Sequence, residues 1–373
     1  MKLTVLQENL SQAVNLSSRI VSSRPTLPIL GNLLLTAEKN IFTISATNLE
    51  TSLVIQLPAK IETEGKISLP AKTFQELVIS LPVQPVTLEA EREKLKINCA
   101  KNFIELKGML ANEFPTIPDF PSGVKTWKIK LVDFVKSCQE VVFSAATDES
   151  RPVLSAVRVN IEKKGLELVA TDGYRLSRKF LTGELGNEAI FLLPAKTLIE
   201  LVRINSKEGK LEFFLDKKGN QVIFRLDNLR FVSRLIDGQF PPFGKVIPGS
   251  CQTTVVIDRE ELIGVLKMAA VFAKDSANII KLKIKNEKLK ISANSTTAGE
   301  EESEIEAKIE GEEVEIAFNY RFVGEFLASI EAPQVRLKLN GNLSPVLFEV
   351  PGDKTLLHVI MPVRVQTTEA PQD

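Results

Sequence analysis

The sequence is poor in the residues on which most disulfide-rich and metal-binding proteins depend. Its 373 residues include one histidine and three cysteines, Cys99, Cys138 and Cys251. The cysteines are far apart and odd in number, which argues against a disulfide framework or a zinc site and fits a reducing cytosol. We therefore expect free thiols, no bound metal and a cytoplasmic protein.

Signatures of catalysis are also absent. The sequence has no Gly-x-Ser-x-Gly, no Walker A loop and no Cys-x-x-Cys pair. The single histidine, His358, lies in the apolar run 356–360, where a structural role is more common than a catalytic one. The acid-rich run 300–306 could be mistaken for a metal cluster, but a solvated or interface strand edge explains it better. We predict no catalytic residue, no metal and no cofactor.

Long apolar runs and net charge are missing as well. No run reaches the roughly 18 apolar residues that cross a bilayer, so we expect no membrane contact. The first residues lack the apolar core of a signal peptide and predict a strand instead. Lysine and arginine together number 47, as do aspartate and glutamate, which gives zero net charge. Tight nucleic-acid binders usually have a basic excess, so any contact with DNA must be local or loose.

What the sequence does contain is a repeat. The decamer LPAKTFQELV at 69–78 returns as LPAKTLIELV at 193–202, with eight of ten residues identical. A weaker third copy at 318–327 keeps the basic residue and the acid four positions later. In the three copies these pairs are Lys72 and Glu76, Lys196 and Glu200, and Arg321 and Glu325. Three copies at intervals of about 124 residues indicate three related domains.

The segments around the decamers repeat too. Each decamer follows a strand and a polar turn, at 40–48, 165–172 and 288–295, and each third opens with an amphipathic helix. Asp258 is a plausible N-cap for the opening helix of the last third, and the proline of the decamer suits the first helical position. The pattern predicts an α+β fold of three two-helix, antiparallel-sheet domains at 1–120, 127–245 and 252–364, with a disordered tail at 365–373.

Triplication favours surfaces over catalytic sites. A head-to-tail contact that is repeated by rotation closes into a ring. The alternative is a simple gene triplication without a ring, and the repeat alone leaves both possibilities open.

Four segments carry a specific resemblance. SRPTLPILGNLLL at 23–35, ATDGYRLS at 170–177, LIDGQFP at 235–241 and MPVR at 361–364 resemble the bacterial DNA polymerase III beta subunit family, the replicative sliding clamps. The resemblance spans almost the whole chain in order. It implies a head-to-tail homodimer, a ring of six domains lined by twelve helices, and a non-catalytic processivity factor. Family chains generally stop near the MPVR segment, whereas here nine residues follow.

A ring that encircles DNA does not need a high affinity for it, so a net charge of zero is compatible with this function. The implied partners are double-stranded DNA, bound without sequence specificity, and the replicative polymerase, clamp loader and repair proteins, bound through short linear peptides. Acidic and basic residues are balanced along the helices, so a positive lining depends on which side chains face inward. The candidates for DNA contact are Arg24, Lys72, Arg151, Lys196, Arg203 and Lys267.

The resemblance also implies a peptide pocket. Its apolar side chains would accept leucine or phenylalanine anchors, methionine can repack around different partners, and Arg175 and Arg364 could orient polar groups. The implied lining consists of Leu154, Thr171, Gly173, Tyr174, Arg175, Leu176, Pro241, Val246, Pro345, Val359, Met361, Pro362, Val363 and Arg364. The first repeat has TNLETS at 47–52 where the second has TDGYRL, which suggests that only one copy acquired the site.

The dimer contact is expected to join the first domain of one chain to the third domain of the other. Opposite charges and edge-strand pairing would set the register, with two apolar anchors. The candidates are Lys96, Lys101, Val271, Phe272, Glu300, Glu301 and Glu302.

Two rival functions remain open at this point. The first is a triplicated peptide-binding scaffold that never encircles DNA. The second is a hydrolase with a site near Thr171, Asp172 and His358.

Overall fold

The computed structural model describes residues 1–22, 25–121, 123–148, 150–204 and 209–364. Within these residues the backbone forms two compact units. The first consists of residues 1–132 and 200–235, and the second of residues 133–199 and 236 onwards. The middle third of the sequence is therefore divided between the two units.

One order of elements occurs three times: a strand, a helix, several strands, a second helix and three strands. The first repeat contains β1 (Lys2–Leu6), α1 (Gln7–Ser18), β2 (Asn32–Glu38), β3 (Ile41–Thr47), β4 (Thr51–Leu57), β5 (Lys60–Thr63), β6 (Gly65–Pro70), α2 (Ala71–Ser80), β7 (Pro85–Glu91), β8 (Lys94–Cys99) and β9 (Asn102–Lys107). Strand β5 pairs with β1, and in the third repeat the second half of the long strand at Gly299–Glu310 pairs with the strand at Thr253–Asp258 in the same way.

The second and third repeats follow the same plan. The second contains β10 (Trp127–Lys130), α3 (Leu131–Val142), β11 (Ala156–Glu162), β12 (Gly165–Thr171), β13 (Arg175–Thr182), β14 (Ala189–Pro194), α4 (Ala195–Val202), β15 (Lys210–Leu215), β16 (Gln221–Leu226) and β17 (Leu229–Arg234). The third contains β18 (Thr253–Asp258), α5 (Arg259–Ala273), β19 (Ile279–Lys285), β20 (Lys288–Ser295), β21 (Gly299–Glu310), β22 (Val314–Asn319), α6 (Tyr320–Ser329), β23 (Gln334–Leu339), β24 (Val346–Val350) and β25 (Asp353–Ile360). Short 3₁₀ turns occur at Pro28–Gly31, Ala111–Glu113 and Gly244–Val246.

The antiparallel sheets continue from one repeat into the next. The first unit has a five-stranded sheet, β5-β1-β7-β8-β9, and an eight-stranded sheet, β10-β15-β16-β17-β4-β3-β2-β6. The second unit has one twelve-stranded sheet, β14-β11-β12-β13-β25-β24-β23-β18-β21-β20-β19-β22. These sheets confirm the predicted α+β class, while the predicted boundaries at 120, 127, 245 and 252 stay predictions.

Two junctions between repeats have the same construction. In the first unit β4 pairs with β17, which places Leu53 opposite Phe231. In the second unit β13 pairs with β25, which places Ser177 opposite His358. At each junction the last strand of one repeat therefore continues the sheet of the repeat before it.

Helices form where apolar side chains recur every three or four residues. In α3, Phe134, Cys138 and Val141 are buried, as their spacing predicts. The Asp258 carboxylate accepts a 3.0 Å hydrogen bond from the Glu261 N–H, which confirms the predicted N-cap of α5. The prediction that proline opens the decamer helices was wrong by one residue. Pro70 and Pro194 complete strands β6 and β14, and the helices begin at the alanines that follow.

A buried charge cluster reinforces the junction in the second unit. Lys179 Nζ on β13 lies 2.8 Å from Glu140 Oε2 on α3 and 3.0 Å from Asp353 Oδ2 at the start of β25. Burial opposes the charge of Lys179, but the two carboxylates together raise its pKa. Burial also opposes the ionisation of Asp353, yet hydrogen bonds from Thr355 and Lys179 lower its pKa to about 2. The cluster thus connects three elements of the junction by charge.

Replacement of Asp353 by asparagine is expected to destabilise the second unit at neutral pH, because it removes the attraction between the carboxylate and Lys179. The loss should be only about 1 kcal/mol, since the carboxylate is partly exposed and solvent screens the attraction. The pKa of Asp353 is lower in the folded than in the unfolded chain. Its stabilisation is therefore complete above the unfolded pKa and is lost as the pH falls toward 2. Urea unfolding at pH 7 and at pH 2.5 tests this. The exposed Asp237→Asn is the control, and a loss for Asp353→Asn that is equal at both pH values would contradict the assignment.

Candidate functional sites

A cavity of about 230 Å³ opens in the second unit, beside the turn between β12 and β13. Ten residues of the predicted pocket line it: Leu154, Thr171, Gly173, Tyr174, Arg175, Leu176, Pro241, Val246, Val359 and Met361. Pro242 and Phe243, which the sequence analysis did not include, also line it. Both directly follow the predicted Pro241, and their apolar character was the available signal.

Four other predicted pocket residues lie outside this lining. Pro345 immediately precedes β24, and Pro362, Val363 and Arg364 follow β25. The Val363 N–H donates a 2.8 Å hydrogen bond to the Ala317 carbonyl of β22, which fixes the segment beside the third repeat. The Arg364 side chain is exposed. The proposed role of Arg364 in orienting polar groups of a ligand stays a prediction.

The turn that shapes the cavity is held by its own side chains. The Thr171 hydroxyl donates to the Arg175 carbonyl at 2.6 Å and accepts from the Gly173 N–H at 3.1 Å. The Asp172 carboxylate accepts from the N–H groups of Tyr174 and Arg175 at 2.9 and 3.0 Å. Gly173 has a φ of +94°, a conformation that favours glycine. The turn is therefore rigid without help from a ligand.

The wall of the cavity is apolar. A buried cluster of Val169, Leu176, Leu347 and Val359 carries partly buried side chains from the connection between the second and third repeats, namely Phe240, Phe243, Val246 and Ile247. Tyr174 stands on the rim with about two thirds of its side chain exposed. Such a cavity, apolar inside with a few polar groups at its edge, suits one or two apolar side chains of a bound peptide.

The first repeat has the same turn with different side chains. Thr47 and Asn48 make the hydrogen bonds that Thr171 and Asp172 make in the second repeat. The backbone of the turn is therefore the same in both repeats, and the difference between TNLETS and TDGYRL lies in the side chains. By the strand register, Ser52 occupies the position of Leu176. The Ser52 hydroxyl lies 2.7 Å from the Thr47 hydroxyl, so a polar pair replaces the apolar wall.

The connection between the first two repeats also covers its own sheet. Phe120 packs edge to face on Phe214 at a centroid distance of 4.9 Å, over a buried cluster that includes Ile223 and Val232. The Arg225 guanidinium lies 4.1 Å from the centre of the Phe120 ring on its other side. Phe120 therefore covers part of this sheet, while Val54, Ile117 and Arg230 of the same unit line a cavity of about 450 Å³.

His358 belongs to the core of the second unit. The side chain has no exposed surface, its ring stacks on Phe326 at 4.8 Å, and its Nδ1 lies 2.7 Å from the Ser177 hydroxyl. Burial, together with the positive charge of Arg175, lowers the pKa of His358 to about 3, so the ring is neutral at physiological pH. A side chain without solvent access has no route to a substrate, which removes the observation on which the hydrolase alternative depended.

Exposed basic residues occur on four helices. Lys72 on α2, Lys196 on α4 and Lys267 on α5 are exposed, whereas the apolar faces of the same helices are buried. Arg321 on α6 has the same exposure and occupies the position of Lys72 and Lys196 in the third copy of the decamer. It was missing from the predicted DNA contacts, although the repeat contained the signal.

The remaining predicted DNA contacts are placed differently. Arg203, just after α4, donates a 2.6 Å hydrogen bond to Glu200 on the same helix. Arg151 is exposed in the loop before β11. Arg24 lies outside the described residues. The roles of all six predicted residues in DNA contact stay predictions.

The predicted dimer contacts lie on β8, in the turn before β9, on α5 and at the start of β21. Lys96 on β8 and Lys101 in the turn before β9 are exposed at one end of the first unit. Val271 is exposed on α5, and Phe272 is partly buried against the core of the third repeat. Glu300, Glu301 and Glu302 begin β21; Glu302 pairs with Lys290 of the neighbouring strand, and Glu301 accepts a hydrogen bond from Ser303.

Three further apolar residues are exposed near β9 and were not predicted. Phe103 on β9 is 79% exposed, and Ile79 and Val83 are exposed at and beyond the end of α2. The Cys99 thiol donates to the Pro82 carbonyl at 3.5 Å, which holds the end of α2 beside the β8–β9 turn. Exposed large apolar side chains that cluster in this way indicate a contact surface. In the sequence, Phe103 follows the alternation of an ordinary half-buried strand and gave no separate signal.

The described residues contain neither a metal-binding cluster nor a membrane-spanning helix. No group of three His, Cys, Asp or Glu side chains there lies close enough to hold a metal ion. None of the helices is long and apolar enough to cross a membrane. All three cysteines are free, and burial raises the pKa of the Cys138 thiol, which makes it unreactive.

Three family models match successive parts of the chain. They describe the N-terminal, central and C-terminal domains of the DNA polymerase III beta subunit, and they match residues 1–118, 128–242 and 244–364. The order and extent of these matches agree with the threefold repeat of elements.

Curated relatives cover almost the whole chain. The beta sliding clamps of Synechococcus elongatus and Bacillus subtilis are each 30% identical to it, over 98% of this chain and 100% of the relative. Among solved structures, the DNA polymerase III beta subunit of Thermotoga maritima is 30% identical, with a TM-score of 0.91 over 98% of this chain and 99% of that chain. The Pseudomonas aeruginosa sliding clamp bound to griselimycin is 27% identical, with a TM-score of 0.91 over 98% and 100%.

Proposed function

The chain belongs to the DNA polymerase III beta subunit family, and we propose that it works as a ring-shaped homodimer that encircles duplex DNA and holds its partners by short peptides. As a member of this family it is a DNA sliding clamp, a processivity factor without catalytic activity that serves the replicative polymerase. The assembly and the peptide contacts are the parts that are proposed. They rest above all on a strand pairing between repeats that occurs twice within the chain. The two strands that would form it a third time have no such partner within the described residues.

The open junction consists of two sheet edges. Strand β9 ends the five-stranded sheet, and in the two internal junctions its counterparts β17 and β25 pair with the preceding repeat. The first half of β21, from Gly299 to Glu306, pairs only with β20 and leaves its other edge unpaired within the described residues. An unpaired edge invites pairing with another chain. A second copy of this chain supplies the missing partner for each edge.

The two internal junctions also give the register. Leu53 lies opposite Phe231, and Ser177 lies opposite His358. The hairpin registers make Glu301 the counterpart of Leu53 and Ser177, and Ile104 the counterpart of Phe231 and His358. We therefore expect Glu301 of one copy opposite Ile104 of the other. On the exposed face Glu302 then lies opposite Phe103, and Glu300 lies opposite Glu105, beside Lys96.

A contact of this kind repeats head to tail and closes after two copies if six similar domains complete one turn. Each chain has six α-helices within the described residues, so two copies supply twelve. Twelve helices whose axes lie roughly 9 Å apart form a circle of about 35 Å in diameter through the axes. Subtracting a helix width of about 10 Å leaves a hole of about 25 Å, which admits duplex DNA, roughly twice as wide as a helix, with a thin layer of water.

Contact with DNA is proposed to be weak and electrostatic. Lys72, Lys196 and Arg321 recur at one position of the repeated helix, and all three side chains are exposed to solvent. Non-specific binding of this type falls steeply with salt and permits sliding. Topological closure, and not affinity, would keep the clamp on DNA, which is consistent with a net charge of zero. We place this activity in the cytoplasm.

The cavity beside the β12–β13 turn is the proposed docking site for partners. Its apolar wall suits leucine and phenylalanine side chains of the polymerase, the clamp loader and repair proteins. A relative from Pseudomonas aeruginosa binds griselimycin. We expect griselimycin to bind this chain and to compete with a short peptide that carries leucine and phenylalanine side chains. Simultaneous binding of both would place one of them elsewhere.

Small-angle X-ray scattering of the purified protein tests the ring. The expected mass is twice 41.3 kDa. The distribution of interatomic distances should contain fewer short distances than that of a filled particle of the same size, because the centre is hollow. A compact or arc-shaped monomer at micromolar concentration would instead support the scaffold that binds peptides without encircling DNA. Competition of griselimycin with the peptide then separates the two parts of the proposal, because the pocket does not depend on the ring.

A further inference from the structure

The Arg175 side chain connects the pocket to two helices. Its Nε donates to Asp172 at 2.9 Å within the β12–β13 turn, and its Nη2 donates to the Phe143 carbonyl just after α3 at 2.6 Å. Its Nη1 pairs with the Glu325 carboxylate on α6. Arg175 is only 8% exposed, although it lines the cavity. The guanidinium is therefore committed to protein partners and is not free to turn toward a ligand.

Aromatic rings restrict the same group. The guanidinium carbon lies 4.5 Å from the centre of the Phe322 ring on α6 and 5.5 Å from that of Phe143. A planar guanidinium that makes three directed contacts and stacks on rings has little freedom to move alone. A displacement of α6 must therefore displace Arg175, and with it one wall of the cavity.

A second connection joins α6 to the opposite wall. The Met361 N–H donates to the Tyr174 carbonyl at 2.8 Å, and two residues later the Val363 N–H donates to the Ala317 carbonyl at 2.8 Å. Ala317 lies in β22, which leads directly into α6. The segment that contains Met361 is thus held between the turn of the pocket and the strand that positions α6.

The repeats show that this connection is particular to the pocket. Glu325 is the third copy of the decamer glutamate, after Glu76 and Glu200. Glu200 bonds to Arg203 of its own segment, and Thr51 occupies in the first repeat the position of Arg175. The acid is present in all three copies, but the arginine that reaches across to it occurs where the cavity is open.

We propose that Glu325 is a positioning residue for the peptide pocket, and that through Arg175 the occupancy of the pocket and the conformation of α6 are coupled. The inference rests on the proposed peptide-binding function of the pocket. Coupling between two sites is reciprocal, so a peptide that favours one arrangement of Arg175 must also stabilise α6. In the proposed ring α6 carries Arg321. Through the coupling, DNA contact at this helix would change the affinity of the pocket for partner peptides.

The test compares Glu325→Gln with Glu200→Gln, the same change at the equivalent position of another repeat. The probe is a fluorescein-labelled hexapeptide with leucine and phenylalanine anchors, and its affinity is measured by fluorescence anisotropy. Glu325→Gln is expected to weaken binding about fivefold, because it removes one charge-assisted contact that orients Arg175. Glu325→Asp keeps the charge and is expected to recover part of the loss. Glu200→Gln is expected to bind within about twofold of the unchanged protein.

A second readout separates coupling from a loss of stability. Peptide binding is expected to slow hydrogen exchange of the α6 amides at 320–329 in the unchanged protein and to slow it less in Glu325→Gln. Equal affinity of Glu325→Gln and the unchanged protein, or no effect of peptide on α6 exchange, would overturn the coupling. Failure of the unchanged protein to bind the peptide at all would overturn the proposed pocket instead.

Discussion

Phe103→Glu is expected to convert the proposed dimer into monomers. Phe103 is the most exposed large apolar side chain in the described residues, and the inferred register places it opposite Glu302 of the second copy. The substitution removes the apolar contact and places two carboxylates opposite each other on one face of the paired strands. A central aromatic contact of this kind is worth about 2–4 kcal/mol, so dimer affinity should fall on the order of 100-fold or more.

Size-exclusion chromatography with light scattering over a range of concentrations measures the effect. Leu343→Glu is the matched control, because Leu343 is also largely exposed but lies in the connection between β23 and β24, away from both free edges. The control is expected to remain dimeric. If both variants dimerise as well as the unchanged protein, β9 is not part of the contact, and the head-to-tail arrangement loses its structural basis.

The register itself can be tested by a disulfide. Phe103→Cys with Glu302→Cys would place two thiols directly opposite each other, within the Cα separation that a disulfide requires. Oxidation should yield covalent dimers in a Cys251→Ser background, which removes the exposed native thiol. Phe103→Cys with Glu301→Cys is the control, because a shift of one residue points the second thiol to the other face of the strand. Efficient cross-linking of the control pair alone would mean that the register is wrong.

Local structure was predictable from the sequence because its causes are local. The buried face of α3 follows from apolar residues every three or four positions, and the N-cap Asp258 follows from a single side chain. The repeated decamer also predicted exposed basic residues on α2 and α4. Arg321 could have been added on the same ground, since it occupies the third copy of that position.

The junctions were not predictable, because strand pairing between distant segments leaves no periodic mark. Nothing in the alternation of β13 or β25 indicates that they pair with each other across 180 residues of chain. The exposed Phe103 has the same pattern as a half-buried strand residue, and only its position at the end of a sheet reveals it. Long-range pairing also divides the middle repeat between two compact units, although the sequence shows three equal parts.

The pocket was predictable in its residues but not in its mechanics. The resemblance supplied ten of the lining residues, and the neighbouring Pro242 and Phe243 complete the wall. The resemblance gave Arg175 a role toward ligands, yet its guanidinium is bonded to Asp172, Phe143 and Glu325. Side-chain direction depends on which elements meet at a point, and α6 reaches this point only through the junction of the second and third repeats.

Val246→Asp is expected to abolish peptide binding while the fold is retained. Val246 lies in the short turn Gly244–Val246, lines the cavity and packs against the buried cluster that includes Leu176 and Val359. The substitution places a carboxylate in the cavity wall, at a position that a bound apolar side chain of the peptide would cover. Binding of the peptide would then remove an unpaired carboxylate from water, which costs on the order of several kcal/mol. The affinity for the peptide should therefore fall by about 100-fold or more.

Fluorescence anisotropy with the same labelled hexapeptide measures the loss. Lys245→Asp puts the same carboxylate one residue earlier in the same turn, where the exposed side chain does not line the cavity. That variant is expected to bind within a few-fold of the unchanged protein. Both variants should keep the scattering mass of the dimer, because the pocket and the free sheet edges involve different strands. If Val246→Asp binds the peptide normally, the apolar cavity is not the docking site, and the search moves to the exposed face around Tyr174.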